Sequence, residues 1–297
     1  AYELPEDIHY EVILPYKARI REVITKAGKP FRCSIKKKDL DIVFYIGAYA
    51  GLCGGIHGRR LKIPRIFCDH GALLNQWNEV PARTMRTVGS RFSDKTVVLT
   101  KQSEEAYYDK FHYKKGRVIT IYNWIDERIQ KAASPYDSNS SKILTAGRFS
   151  KEKGMDLLVD TAAALAKKTT DFVWEVYGDG DMFEEIQQRI EKEGLENNVH
   201  LMGLPLVLIE AKANALPLVS FDIVSGPREI IRDGEDGKLI PPYDTEKMAG
   251  VIYELLKKPE ERLRLSNNSR SNLESFSKET ILSEWKELIE QFVNLSR

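Results

Sequence analysis

Short apolar runs of three to seven residues, many closed by Gly or Asp, alternate along this chain with longer stretches of helical period. The early ones are Asp41–Gly47 (DIVFYIG), Ile63–Asp69 (IPRIFCD) and Thr96–Thr100 (TVVLT), the last leading into a helical pattern from Ser103 to Phe111. A second series follows, with strands expected at Ile143–Ala146, Phe172–Tyr177, Val199–Met202, Leu218–Asp222 and Lys238–Ile240. Helices are expected between them at Gly154–Lys167, Met182–Gly194, Leu206–Ala215 and Pro227–Arg232, with helical patterns from Thr245 onward. Short buried strands alternating with helices are the pattern of a parallel sheet covered on both faces. The chain is therefore α/β.

Between the two series, Asp126–Lys142 (DERIQKAASPYDSNSSK) is polar, carries Ser and Pro and lacks any period, as a linker does. A chain of 297 residues with 42% hydrophobic content is better served by two medium cores than by one large one. The expectation is two doubly wound domains in tandem, residues 1–124 and 125–280. The C-terminal segment 281–297, helical over Ile281–Val293, is expected to pack back on the first. Charge divides similarly: residues 1–150 sum to +10 and residues 151–297 to −9. The clusters Lys36-Lys37-Lys38 and Arg59-Arg60 with Lys62 and Arg65 are either solvated surface or a contact for an anionic membrane face. There each basic residue is worth about 1 kcal/mol. No nucleic-acid-binding module accompanies the charge, so nucleic acid is not expected as a partner. No apolar stretch is long enough to span a bilayer, and no signal-peptide pattern opens the sequence. Cys33, Cys53 and Cys68 are odd in number and not in metal-ligand spacing, which reads as buried free thiols in a reducing compartment. These features place the chain in the cytoplasm.

Three segments carry candidate chemistry. In Leu144–Gly154 (LTAGRFSKEKG) a strand ends at Gly147, and a loop bearing Arg148 and Lys153 leads into a helix. Ligands of open α/β sheets bind outside the carboxyl ends of strands, where these two cations stand. A guanidinium fork and an ammonium point charge together suit a diphosphate. In Leu204–Asp222 (LPLVLIEAKANALPLVSFD), Glu210 sits in an otherwise apolar helix start and needs a partner, which ribose hydroxyls or a lysine could supply. The backbone N–H groups of Leu206 and Val207 in the first turn form a ready anion site. Ser225–Pro241 (SGPREIIRDGEDGKLIPP) reads as a punctuated helix-turn-strand with Glu229 in its helix. Gly51, Gly54, Gly55 and Gly58 fit either a phosphate loop or close helix–sheet packing, and no G-x-G-x-x-G spacing separates the two.

In order, the runs GRFSKEKGMDLLV, EVYGDGDMFEEI, NNVHLMG, LPLVLIEAKANALPLVSFD and SGPREIIRDGEDGKLIPP resemble those of family-4 glycosyltransferases over residues 143–250. IPRIFCDHG resembles the family's strand-plus-histidine segment, and ITIYNWID its crossing into the donor domain. The resemblance implies the GT-B fold, two facing Rossmann-like domains with parallel sheets, the first on the acceptor side and the second binding a nucleotide sugar. It implies a retaining hexosyltransferase moving a sugar, UDP-linked in the family's commonest case, to a saccharide or lipid-linked saccharide at the inner membrane face. That is a role in cell-surface polysaccharide or glycoconjugate biosynthesis. Carried over by residue, it gives Arg148 and Lys153 the donor diphosphate, Glu210 the ribose, and His70 the donor sugar and reacting centre. Gly147, Gly203, Leu206 and Val207 complete the donor-binding set. No cofactor and no metal are expected, since no Asp-x-Asp or His/Cys cluster offers ligands.

The resemblance has departures. The family's Glu-x7-Glu motif requires a glutamate eight residues before Glu210, where Met202 stands. About one helix-strand unit of the family is absent between Gly203 and Leu204, and its opening strand and Gly-rich loop have no counterpart before Ala1. Two other readings stay open: a non-catalytic nucleotide-sugar-binding subunit, which a real gap at Gly203 would favour, and a same-fold nucleotide-sugar epimerase.

Overall fold

The computed structural model describes residues 8, 11–16, 18–36, 40–71, 73–74, 76–125, 136–202, 208–223, 226–270 and 273–293, with 208–210 described by backbone alone. The chain divides into two units, residues 1–123 with 281–297, and residues 124–280.

In the first unit, helices α1 (Ile20–Thr25) and α2 (Gly28–Lys36) precede strand β1 (Val43–Ile46). Then follow α3 (Ala48–His57), β2 (Arg65–Asp69), α4 (Val80–Arg91), β3 (Lys95–Val98), α5 (Lys101–Phe111) and β4 (Val118–Thr120). The four strands form one parallel sheet in chain order, with Ile46 opposite Cys68, Asp69 opposite Val98 and Val98 opposite Thr120. Right-handed crossovers between strands laid down in this order put the connecting helices on one face. Tyr45, Phe67, Val98 and Val118 point to those helices, while Phe44, Ile66, Cys68 and Val97 point to the other face. That alternation is the two-residue period of a strand.

The second face is covered from the far end of the sequence. In the C-terminal helix Lys278–Val293, Ile281 and Leu288 are buried against Ile66, Cys68, Val97 and Ile121. Trp285 meets Phe44 edge-on, with 5.9 Å between ring centroids. Burying each such aliphatic side chain contributes about 1.5–3 kcal/mol, enough to hold a terminal helix on a sheet.

The glycines of α3 serve packing. A Cβ on Gly51 would collide with the Phe67 ring, one on Gly54 with the Tyr45 ring, and one on Gly55 with the Val88 backbone in α4. Close approach to the sheet and to α4 therefore excludes side chains here, and the segment is a helix rather than a phosphate loop. Helix α4 escapes sequence reading because its buried positions are Ala82, Met85, Arg86, Gly89 and Ser90, which carry no apolar period.

The second unit begins its sheet with β5 (Lys142–Ala146), so the last residue of the expected linker is already strand; residues 126–135 lie outside the described residues. It continues with α6 (Met155–Ala166), β6 (Val173–Tyr177), α7 (Phe183–Lys192), β7 (Val199–Met202), α8 (Leu208–Ala213), β8 (Leu218–Phe221), α9 (Pro227–Ile230) and β9 (Gly237–Ile240). Helices α10 (Thr245–Lys257) and α11 (Pro259–Ser269) follow. One core joins Val159, Leu165, Trp174, Val176, Ile186 and Ile190 to Ile240, Ala249 and Ile252. The strands nevertheless form two parallel sheets, β5-β6-β7 and β8-β9. A doubly wound sheet turns back after its third strand and places the fourth beside the first. Here β8 pairs with β9, and among the described residues β5 has no strand on its second edge. This is the position that the helix-strand unit expected from the family resemblance between Gly203 and Leu204 would fill.

The three cysteines are free and differ in surroundings: Cys33 on α2 is exposed, Cys53 is half-buried and Cys68 is buried. The expectation of buried thiols thus holds for Cys68, not for Cys33. Burial pushes the Cys68 thiol up to about 12 and raises that of Cys53. Since the thiolate is the reactive form, iodoacetamide at pH 8 is expected to label Cys33 in the folded protein and to reach Cys68 only after unfolding. Peptide mass spectrometry checks this, and labelling of Cys68 at the rate of Cys33 would contradict it.

Candidate active site

The β5–α6 connection is shaped by its buried neighbours. Gly147 donates its N–H to the Tyr177 carbonyl at 2.9 Å, and Phe149 donates to the Asp179 carbonyl at 3.0 Å. The Phe149 ring is fully buried and packs on Phe183, 5.1 Å between centroids. A Cβ on Gly178 would strike the Gly147 carbonyl, and one on Gly180 the Phe149 backbone, so these glycines let the β6–α7 loop seat the connection. With Phe149 turned inward, Arg148 stands exposed. The chain then makes a 3-10 turn, Lys151–Lys153, which Gly154 ends in the left-handed region at φ 69° before α6 begins. Glycine adopts that conformation without the steric penalty of a Cβ.

Lys153 is exposed at the mouth of α6, whose N-cap provides no side-chain acceptor. Among the described residues, neither Arg148 nor Lys153 has a side-chain hydrogen bond or ion pair. Two exposed cations thus flank a helix N-terminus with free N–H groups at the carboxyl end of β5. Such an arrangement attracts an anion through both charge and backbone dipoles.

Glu210 lies on α8, with its backbone alone described, and Gly203, Leu206 and Val207 lie outside the described residues. What fixes α8 is Lys212, a residue sequence reading passed over. Its ammonium is fully buried and donates to Asp236 Oδ2 at 2.9 Å and to the Ile230 carbonyl. Asp236, equally buried, also accepts from the Arg232 backbone at 2.8 Å and from Arg232 Nε at 3.0 Å. Burial pushes the Asp236 carboxyl upward, but the hydrogen bonds from Lys212 and Arg232 outweigh it and hold the group below the ordinary carboxylate range. The signal available in the sequence was a lysine in the apolar run LIEAKANALPLV.

In the first unit His70 follows the last residue of β2 and is exposed. Beneath it Asp69 is buried, with Arg86 Nε at 2.9 Å and the Tyr107 hydroxyl donating at 2.7 Å to Oδ2. Its Oδ1 accepts the Gly71 N–H at 3.1 Å. Arg86 Nη2 donates to Gln76 Oε1 at 2.7 Å. Burial first, and the Asp69 charge second, push the Tyr107 hydroxyl well above its ordinary value, so it stays a donor. Sequence reading found His70 but none of the three groups around Asp69.

Residues 3–128 match the family described as Glycosyltransferase Family 4, and residues 126–204 and 202–272 match Glycosyl transferases group 1. The chain belongs to the family-4, group 1 glycosyltransferases. A similar protein is an uncharacterized glycosyltransferase of Haemophilus influenzae, 26% identical over 93% of this glycosyltransferase and 83% of its own length. The amylovoran biosynthesis glycosyltransferase AmsD of Erwinia amylovora is 23% identical over 77% of this chain and 71% of its own. Among solved structures, Staphylococcus aureus TarM, with fondaparinux, α-GlcNAc-glycerol and UDP bound, superimposes with a TM-score of 0.76. It is 21% identical over 89% of this transferase, which spans 59% of the TarM chain. The fold is therefore GT-B, α/β with parallel sheets. The group 1 match is made in two pieces that meet at residues 202–204. Among the described residues, no helix is long and apolar enough to cross a membrane.

Proposed function

We propose that this glycosyltransferase moves a sugar from a UDP-sugar to a hydroxyl of a saccharide or lipid-linked saccharide, with retention, in cell-surface polysaccharide or glycoconjugate biosynthesis. The observation that carries the reading is the pair of exposed cations, Arg148 and Lys153, at the carboxyl end of β5 beside the start of α6, without side-chain partners among the described residues. UDP and an α-GlcNAc-glycerol in the TarM structure support the nucleotide and the configuration. The name of AmsD supports the setting.

In this scheme Arg148 grips diphosphate oxygens by its fork and Lys153 adds a point charge. Glu210 accepts from ribose hydroxyls, the Leu206 and Val207 N–H groups face an anion, and Gly147 and Gly203 allow close backbone approach. The bond from the anomeric carbon to the diphosphate breaks, and the acceptor oxygen bonds to the same face of that carbon. The acceptor proton passes to the departing diphosphate. Charge developing on that leaving group is what Arg148 and Lys153 stabilise, so no metal ion need be held for the step. His70 serves the sugar end of the donor. The basic first unit receives the acceptor, at the inner face of the membrane.

Incubation with UDP-glucose, UDP-galactose and UDP-N-acetylglucosamine, each with oligosaccharide acceptors, tests the reading through UDP release and NMR of the product. An α product from one donor is expected, and an inverted linkage refutes the scheme. The two-piece family match and, among the described residues, the unpaired edge of β5 favour one other reading, a subunit that binds the donor without turning it over. Donor binding without UDP release under any acceptor would establish that reading.

A further inference from the structure

We propose that Asp69, Arg86 and Tyr107 form a positioning device for His70, holding its exposed imidazole in one place at the carboxyl edge of the first unit's sheet. The inference rests on the reading of His70 as the group that serves the donor sugar. Three elements converge on one carboxylate: β2 contributes Asp69, α4 contributes Arg86 and α5 contributes Tyr107. The Asp69 backbone is fixed by pairing with β3 opposite Val98, and its Oδ1 captures the Gly71 N–H at 3.1 Å. The residue between them, His70, is thereby anchored on both sides while its ring stays in solvent. Arg86 extends the hold to the following loop through Gln76.

The cost of the arrangement argues for position rather than stability. Arg86 and Asp69 are 4% and 2% exposed, and taking both charges out of water offsets most of their attraction. Arg86 Nη1 is buried without a hydrogen-bond partner among the described residues, a further penalty an apolar pair would not carry. Arg86 also lies so close under the turn that a Cβ on Gly71 would strike its Nη2. A buried polar network of this kind has one satisfied geometry, and that geometry includes the turn presenting His70.

Tyr107→Phe removes the O–H donated to Asp69 and keeps the ring that fills the core. UDP release from whichever UDP-sugar is turned over is measured for Tyr107→Phe, His70→Ala and the double variant. The expected result is a fall in kcat of about tenfold for Tyr107→Phe, the size of one lost hydrogen bond to a charged group, with KM for the donor unchanged. In the His70→Ala background the second change should add nothing, because groups acting through one residue are not additive. A further tenfold loss there, or no loss in the native background while His70→Ala is impaired, overturns the proposal. Native turnover by His70→Ala removes the assignment of His70 first, and the positioning role falls with it. Amide exchange reads the device without any turnover: Tyr107→Phe and Gly71→Ala should speed exchange in the peptide 70–76 and leave the second unit unchanged. Native exchange at 70–76 in both variants overturns it.

Discussion

Arg148→Ala is expected to abolish stabilisation by the UDP-sugar donor and to lower kcat by about 10²–10³-fold, the cost of removing one preorganised group from a developing charge. The expectation follows from what Arg148 does in the free protein, which is nothing measurable for the fold. It is exposed and has no side-chain partner among the described residues, while Phe149 and the Gly178–Gly180 loop hold the connection. The variant should therefore melt at the native temperature without ligand, and the loss should appear only with donor. A donor at a hundred times its dissociation constant adds about 2.7 kcal/mol to the native protein, which differential scanning fluorimetry detects. Arg148→Lys should recover part of the binding but not the fork, so it falls between native and Ala. A donor-induced shift that survives in Arg148→Ala would remove the diphosphate from this loop.

The largest stability effect is expected at Lys212. Replacing it by Ala leaves Asp236 buried with Arg232 as its remaining partner, and breaking a buried pair costs about 3–5 kcal/mol. For a unit of this size each kcal/mol is worth about 2–4 °C, so its transition should fall by about 6–20 °C. The double variant Lys212→Met with Asp236→Leu, which removes both charges, should regain most of that loss, because an apolar pair has no desolvation to offset. The depressed Asp236 carboxyl adds a pH dependence. Its folded value lies below its unfolded one, so its contribution is present above the unfolded value and is lost as pH falls through the folded one. Urea titrations at pH 7 and below pH 3, under the unfolded value of the carboxyl, measure both effects. A change below 1 kcal/mol for Lys212→Ala would show that α8 is held by other contacts.

How much of this was legible in advance varies by segment. Val199–Met202 falls where the apolar run predicts it, and the helices after β5 and β6 lie within two residues of their expected bounds. Those segments combine a strong period with clear punctuation, such as Gly154 ahead of α6 and Gly194 after α7. Helix α4 and strand β4 were not legible. The first buries small and charged residues with Met85 as the one large apolar side chain among them, and the second is three residues long. The stretch after Thr245 reads as helical throughout, but α10 ends before Pro259 and a 3-10 turn at Glu274–Phe276 precedes the last helix.

The sequence by itself determined the class, the tandem arrangement of two α/β series and the ordered motifs that mark the family. These depend on local period and on residues that keep their chemistry wherever the chain goes. Only the tertiary structure decided that the glycines of α3 are packing surfaces, that Arg86 and Tyr107 meet at Asp69, and that Lys212 finds Asp236. The polar contacts join residues 17 to 38 positions apart. A charge on an apolar face announces that it needs a partner, but the partner is chosen by which elements the sheet brings side by side.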